Sequence, residues 1–534
     1  MSKQKLKMSN KRFLAIFVPI CAVLLALTIV LFPLSNYFRV LLDNRLGRGN
    51  RVVETVEGTE DWDTEYYEKV VDPKGESEIV ALSINREGQV LLKNNGVLPM
   101  DKGTTVVPFG KAYLTPYYSG TGAGTSSSEG AITPKMALSE FFVVDEKTEY
   151  AMEGARLVIT DAAPGTRPVK EEYSLQHPES TLSEYDAGIY EDLSIEDDSV
   201  GIVFIGRSGA EGGDTKHDAY ADGTPHYLAL SQNEREAIRT AKEKCGRVVL
   251  ILNSPSVMEL SPFMAGELEV DAILWTGMPG TQGFTAMAEI LCGEVNPSGK
   301  TPDIWATDFT ADPTYQNFGA FEYSNAPFST EDILTGLWAT ADPTGPDHLR
   351  FYVEYQEGIY MGYRYYETAD EVLDGFTYGT LDGNGAIVTP GAVAYPFGYG
   401  LSYTTFKQEI VAFDETDTDI ELTVKVTNTG DVAGKEIVQV YFEAPYTQLD
   451  EEYFIEKASA NLVAFDKTDM LQPNASEEVT LSFRKEDMAS YCYTRTNPDD
   501  TKGCYFLQNG EYEITIRANS HPALASEPAT VAHH

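Results

Sequence analysis

The sequence predicts an α/β domain with a mostly parallel sheet, followed by an antiparallel β-sandwich and preceded by a transmembrane helix. Three observations carry that expectation. Between residues 76 and 310, short aliphatic and β-branched runs alternate with helical stretches, as in strands covered on both faces by crossover helices. From residue 406 the pattern changes to polar and apolar alternation broken by turns, the mark of antiparallel strands with one solvated face. At the amino terminus, Phe13 to Leu34 run without a charge.

That first run is 22 residues long, enough to span about 30 Å of hydrocarbon as a helix. Lys3, Lys5, Lys7, Lys11 and Arg12 precede it and favour a cytoplasmic amino terminus; Arg39, Arg45, Arg48 and Arg51 follow it and weaken the asymmetry. Leu34 is followed by Ser-Asn-Tyr-Phe, not by the small-x-small site of a cleaved signal peptide. Residues 1–36 are therefore read as a cytoplasmic tail and an uncleaved membrane anchor through residues 13–34. The expected placement is single-pass in the cell membrane, with the bulk of the chain outside. Residues 37–75, polar and mixed in charge, read as a stalk.

A helical stretch near Ser77 to Leu92 opens the α/β domain, residues 76–310. Its expected strands are Thr105 to Phe109 (TVVPF), Arg156 to Thr160 (RLVIT), Ser199 to Ile205 (SVGIVFI), Arg247 to Leu252 (RVVLIL) and Asp271 to Trp275 (DAILW). Between two of them, Ser231-Gln-Asn-Glu234 has the form of a capping box and predicts a helix to about Lys244. Strand, helix, strand in that order makes a right-handed crossover. Residues 311–405, rich in Tyr, Phe, Gly and Pro, read as a connector packed on the α/β domain. Residues 406–520 hold the alternating strands Ile420 to Asn428, Glu436 to Phe442, Glu477 to Phe483 and Glu511 to Arg517, and 521–534 form a tail.

The 534 residues include 82 acidic against 40 basic side chains, a formal charge of −42. Such an excess repels phosphate backbones, so nucleic acid is excluded as a partner. Five cysteines are too few for a disulfide scaffold in so long a chain. Cys245 and Cys292 lie beside apolar runs and read as small core hydrophobes. Cys492 and Cys504 flank the turn-rich TNPDDTKG stretch and either close a disulfide in an oxidising exterior or remain free. No CxxC or Cys/His cluster suggests a metal, and nothing in the sequence asks for a cofactor.

In an open parallel sheet, ligands bind beyond the carboxyl ends of strands. The first such loop carries Tyr117-Tyr-Ser-Gly-Thr-Gly-Ala-Gly124. Its glycines allow close backbone approach, which suits a plain tight loop, the wall of a sugar site or, with least support, a nucleotide phosphate; no Gly-Lys-Ser/Thr follows. Tyr117, Tyr118 and Gly122 are the candidate sugar-binding positions. The loop after Gly201 to Gly206 carries Glu211 and Asp214 in Glu-Gly-Gly-Asp. A carboxyl group there can reach into a cleft as a proton donor or can simply be part of a solvated acidic loop. Trp275, Trp305 and Trp338 and the Tyr363-Arg-Tyr-Tyr366 run read chiefly as packing aromatics. His217 and His226, near the acidic loop, read as surface or hydrogen-bonded residues.

Several segments resemble the second and third domains of the family 3 glycoside hydrolases, the β-glucosidase family. Glu87 to Pro99 (EGQVLLKNNGVLP) resembles the opening of that family's α/β sandwich, and Glu211-Gly-Gly-Asp214 resembles its acid loop. Met278 to Gly283 (MPGTQG) and Leu291 to Pro302 (LCGEVNPSGKTP) resemble the end of the sandwich. Tyr355 to Tyr366 (YQEGIYMGYRYY) and Tyr395 to Tyr403 (YPFGYGLSY) resemble the exit region, and Val426 to Gly434 (VTNTGDVAG) the start of a fibronectin type III-like domain. The resemblance implies a three-layer α/β sandwich followed by a fibronectin type III-like β-sandwich. It also implies retaining hydrolysis of terminal β-linked sugars, with Glu211 as acid/base and Asp214 orienting the loop or contacting sugar. In three-domain members the nucleophile is an Asp on a (β/α)8 barrel, which this chain does not contain; Asp308 lies in the sandwich-exit region and is not a candidate for it. Some relatives carry their domains in inverted order, with the barrel last. The expected partners are accordingly a β-glucoside or oligosaccharide substrate and a barrel in the same longer chain or a separate one. The alternative function is a membrane-anchored, non-catalytic carbohydrate-binding protein derived from such an enzyme.

Overall fold

The computed structural model of the chain describes residues 73–120, 127–160, 187–196, 198–207, 219–220, 223–317, 355–382, 386–522 and 529–533, with isolated positions elsewhere. The chain divides into two units, Met1–Pro73 and Lys74–His534. The expected transmembrane helix is not supported: among the described residues, no helix is long and apolar enough to cross a membrane. Most of residues 13–34 lie outside the described residues, and the positions described between 11 and 27 are helical and exposed. An uncharged run permits a membrane span, but a span requires about 20 residues of continuous apolar helix.

The α/β sandwich begins with helix α1 (Pro73–Gly88) and strand β1 (Val90–Asn94). There follow β2 (Thr105–Phe109), α2 (Pro134–Phe141), β3 (Val143–Val144) and α3 (Lys147–Thr160). The second half holds β4 (Val200–Gly206), α4 (Gln232–Lys244), β5 (Arg247–Asn253), β6 (Ala272–Trp275) and α5 (Gly283–Leu291). These strands form one six-stranded sheet in the order β1-β6-β5-β4-β2-β3, parallel except for β1, which runs antiparallel along β6.

Two strand assignments differ from expectation. The stretch read as one helix from Ser77 to Leu92 ends at Gly88, and VLLKN becomes the antiparallel edge strand. Arg156–Thr160 is not a strand but the last part of α3. A five-residue apolar run has too little periodicity to separate strand from helix, and its neighbours in the fold decide.

Every residue of β4 is buried, and β5 is buried from Val248 onward. Each fully covered Val, Leu or Ile contributes about 1.5–3 kcal/mol, so the central strands form the most firmly held part of the sheet. Helix α4 begins as expected: Ser231 accepts from the Glu234 backbone, and the Glu234 side chain accepts in return from the backbone of Ser231. Cys245 is buried in this core, and Cys292 packs against it. Trp305 is fully buried and meets Trp275 edge-to-face at 5.5 Å; Trp338 lies outside the described residues.

The polypeptide after α5 contributes β7 (Trp305–Ala306), helix α6 (Tyr363–Val372) and β8 (Val393–Tyr395), with β7 and β8 paired. The β-sandwich then comprises a sheet of β9 (Phe406–Glu415), β10 (Asp419–Asn428) and β13 (Ser476–Arg484). Facing it is a sheet of β12 (Asn461–Lys467), β11 (Ile437–Glu443), β16 (Gly510–Arg517) and β17 (Ala529–His533); residues 529–533, expected as part of a tail, instead pair antiparallel with β16. A separate hairpin joins β14 (Ser490–Thr496) to β15 (Lys502–Phe506), beside the short helix α7 (Gln448–Tyr453).

Two asparagines explain why motifs far apart in sequence occur together. Asn296 donates to the carbonyl of Ala433 at 2.9 Å and accepts from Ser402 Oγ at 2.9 Å and the Tyr403 backbone at 2.8 Å. Asn428 donates to the carbonyls of Val432 and Leu471 and accepts from Thr404 Oγ1 at 2.7 Å. A second polar junction centres on the buried Glu367 of α6, which accepts from Tyr378, Ser520 and His521 at 2.8, 2.5 and 2.8 Å. Buried polar groups of this kind are tolerated because each has partners.

Candidate functional site

The carboxyl ends of β2, β4, β5 and β6 lie side by side, with Gly206 paired to Asn253 and Leu252 paired to Trp275. The loops that leave them are stitched together by Asn253. Its carbonyl oxygen accepts from the Tyr117 backbone at 2.7 Å, and its amide donates to the carbonyls of Tyr117 and Gly277, each at 2.8 Å. The Tyr118 carbonyl accepts from the Gly280 backbone at 2.8 Å. One fully buried side chain at the end of β5 thus ties together the loops after β2 and β6.

The two candidate tyrosines sit on this face, and the rings have packing partners. Tyr117 lies over the backbone of Gly206, where any Cβ would come within 2.7 Å of its ring. Tyr118 meets Phe284 edge-to-face at 5.7 Å, and burial pushes its phenol pKa up. Gly122 lies outside the described residues, as do Glu211, Asp214 and His217.

What the structure does describe is how the acidic loop is anchored. Arg207, the first residue after β4, is fully buried, and so is its partner Glu234 on α4. The guanidinium donates to both Glu234 oxygens, to the carbonyl of Gly206, and to the carbonyls of Tyr227 and Ala229 at 2.7 and 2.9 Å. The pair is bidentate, the geometry in which Arg–carboxylate bonds are strongest. Arg207 stands just before residues 208–218 and reaches the chain where it returns at 227–229, so both feet of the loop bearing Glu211 are tied to one buried cation. The return limb carries His226, which is buried and within 3.0 Å of Glu259 Oε1.

Residues 89–363 match the glycosyl hydrolase family 3 C-terminal domain. The chain belongs to glycosyl hydrolase family 3. Residues 436–520 of this family 3 chain match a fibronectin type III-like domain. The chain is similar to a β-glucosidase from Ruminococcus albus, 31% identical over 449 residues, which are 81% of this chain and 37% of that protein. It is equally similar to β-glucosidase A from Butyrivibrio fibrisolvens, 31% identical over 477 residues, 80% of this chain and 48% of that one. The chain thus spans half or less of the length of these curated relatives. Among solved structures, β-glucosidase 3B from Thermotoga neapolitana in complex with α-D-glucose superposes with a TM-score of 0.64 at 26% identity, over 86% of this chain and 55% of that one. A β-glucosidase from Paenibacillus barengoltzii gives 0.62 at 27% identity, over 85% of this chain and 42% of that one.

In this family 3 chain the return limb of the acidic loop also walls a cavity of about 560 Å³. His226 and Leu228 line one side, Ser256 and Val257 after β5 another, and Asp303, Asp312, Tyr315, Tyr363 and Arg364 from the following polypeptide the rest. Asp303 is exposed at the rim of the cavity, yet the atoms crowding its carboxyl group raise its pKa; the Ile304 N–H bond opposes this and repulsion from Asp312 adds to it. No sequence pattern announced this cavity, because its lining is scattered over more than 170 residues. Arg207 and Asn253 were missed too, although each is a polar residue at the end of an apolar strand, which is a usable signal.

Replacing Arg207 by Met leaves Glu234 buried without its cation and should cost about 3–5 kcal/mol. Adding Glu234→Leu should recover much of that loss, and urea unfolding of the two variants measures the difference. Asp303 behaves oppositely to a paired carboxylate. Its raised pKa means the unfolded chain gives up the proton first, so stability falls as pH rises from the ordinary value of about 3.9 toward the folded one. Asp303→Asn should therefore raise the thermal midpoint at about pH 7 and leave it unchanged below about pH 3, as read by calorimetry.

Proposed function

We propose that this chain is the acid/base half of a retaining, β-glucosidase-like glycoside hydrolase. Glu211 protonates the departing glycosidic oxygen, and a (β/α)8 barrel, in the same longer chain or a separate one, supplies the nucleophilic carboxylate. The observation that supports this reading best is the anchoring of the Glu211 loop by the buried Arg207–Glu234 pair, in a chain similar to β-glucosidases over about 80% of its length. A proton donor is useful only where it is held within hydrogen-bond reach of its target. A loop of nineteen residues, 208–226, carrying seven glycines or alanines needs fixed feet to manage that.

Retaining hydrolysis places the two carboxyl groups about 5–5.5 Å apart. After Glu211 has protonated the leaving oxygen, its carboxylate takes a proton from the water that releases the sugar from the nucleophile. Asp214 is the neighbouring carboxylate that orients the loop or meets a sugar hydroxyl. Tyr117, Tyr118 and Gly122 form the adjoining wall, with the tyrosine rings held by Gly206 and Phe284.

The test pairs the chain with the barrel of a related enzyme and follows release of 4-nitrophenol from its β-glucoside. Turnover should require the barrel, and Glu211→Gln should lower it by about 10²–10⁴-fold. With a 2,4-dinitrophenyl leaving group, which departs without protonation, the loss should shrink markedly. An equal loss with both leaving groups would remove Glu211 from the acid role. Sugar binding without turnover, with or without the barrel, would favour a carbohydrate-binding function.

A further inference from the structure

Far from the strand-end loops in sequence, Cys492 on β14 and Cys504 on β15 are direct partners in the antiparallel register of the hairpin. Both are free thiols in this structure. Facing residues of an antiparallel pair have Cα atoms about 4.5–5.5 Å apart, inside the range of about 4.4–6.8 Å that a disulfide needs. Their side chains lie on one face of the ribbon, because successive residues alternate. The neighbouring partners Tyr491 and Tyr505 pack edge-to-face at 5.2 Å, which holds the register up to the cysteine pair; beyond it the register shifts before Thr496 meets Lys502. The facing register therefore puts the two thiols within the Cα range of a disulfide.

We propose that Cys492 and Cys504 are a redox-active dithiol that closes a cross-strand disulfide when the protein meets a small-molecule disulfide such as oxidised glutathione. Cys504 is the more accessible of the two, while Cys492 is 3% exposed. The Cys504 thiolate attacks one sulfur of the oxidised glutathione, breaking its S–S bond and releasing one glutathione thiolate. The Cys492 thiolate then attacks the Cys504 sulfur of the mixed disulfide and expels the second glutathione. Two cysteine thiols lose two protons and two electrons in all, and one glutathione disulfide becomes two thiols.

The surroundings favour this pair over the other described cysteines. Cys492, Thr494, Arg495, Tyr453 and Phe506 border an open cavity of about 430 Å³, so the Cys492 side of the hairpin adjoins open space. Thr494 Oγ1 donates to the Tyr453 carbonyl at 2.7 Å, so the hairpin is already fastened to α7. Cys245 and Cys292 belong to the α/β core and its edge. Burial pushes both thiols up in pKa, which lowers their thiolate fraction.

Trypsin cleaves after Arg495 and Lys502, so the two cysteines leave in separate peptides unless a bond joins them. The 534-residue chain is incubated with oxidised glutathione, alkylated, digested without reductant and analysed by mass spectrometry. The expected result is a joined Cys492–Cys504 peptide pair, with Cys245 and Cys292 alkylated. Cys504→Ser should abolish the pair, and Cys492→Ser should leave a lasting glutathione adduct on Cys504. Alkylation of both cysteines after exhaustive oxidation, separate adducts on each, or bonds to other cysteines would overturn the proposal. The joined or unjoined peptides of the unsubstituted chain decide it even where a serine disturbs the buried Cys492 site.

Discussion

The ion pair between Arg207 and Glu234 is the constraint on which the rest of the site depends. Both groups are fully buried, and burying either alone would cost several kcal/mol. Each is made tolerable by the other and by the carbonyls and the capping backbone they share. The pair joins the end of β4 to the start of α4, the two points between which the acidic loop is strung. The same carboxylate that closes the helix cap therefore sets where the loop begins and returns. Asn253, one strand over, does the equivalent work with neutral hydrogen bonds for the loops after β2 and β6.

Much of the architecture was legible because the central strands are covered on both faces and so read as unbroken apolar runs. SVGIVFI, RVVLIL and DAILW became β4, β5 and β6 within a residue or two at each end, and the alternating segments after residue 406 became the β-sandwich. Edges were less legible. Val90–Asn94 continues a helical pattern without a turn residue beyond Gly88, and only the exposed edge of β6 makes it a strand. The RLVIT run has the composition of a strand but continues α3. The amino-terminal run shows the same limit, since composition announced a transmembrane helix that the described residues do not support.

The site was legible in a different way. Glu211 and Asp214 stood out through resemblance to a family and through their glycine-rich setting, not through any property of two acidic residues by themselves. The groups that make the loop an instrument were harder to find, because Arg207 and Glu234 are 27 residues apart and only the helix-cap half of that arrangement leaves a local signature. The cavity beside His226 was not legible at all: Asp303, Asp312 and Arg364 come together only once the polypeptide after α5 folds against the sheet end.

The proposed acid role requires the anchored loop to deliver Glu211 to a carboxylate on a barrel. A crystal structure of this chain together with a family 3 barrel and a bound glucose measures it directly. The expected result is the Glu211 carboxyl group about 5–5.5 Å from the barrel nucleophile, across the sugar's anomeric carbon. A Glu211 side chain turned to solvent, with another carboxylic acid in that place, would contradict it.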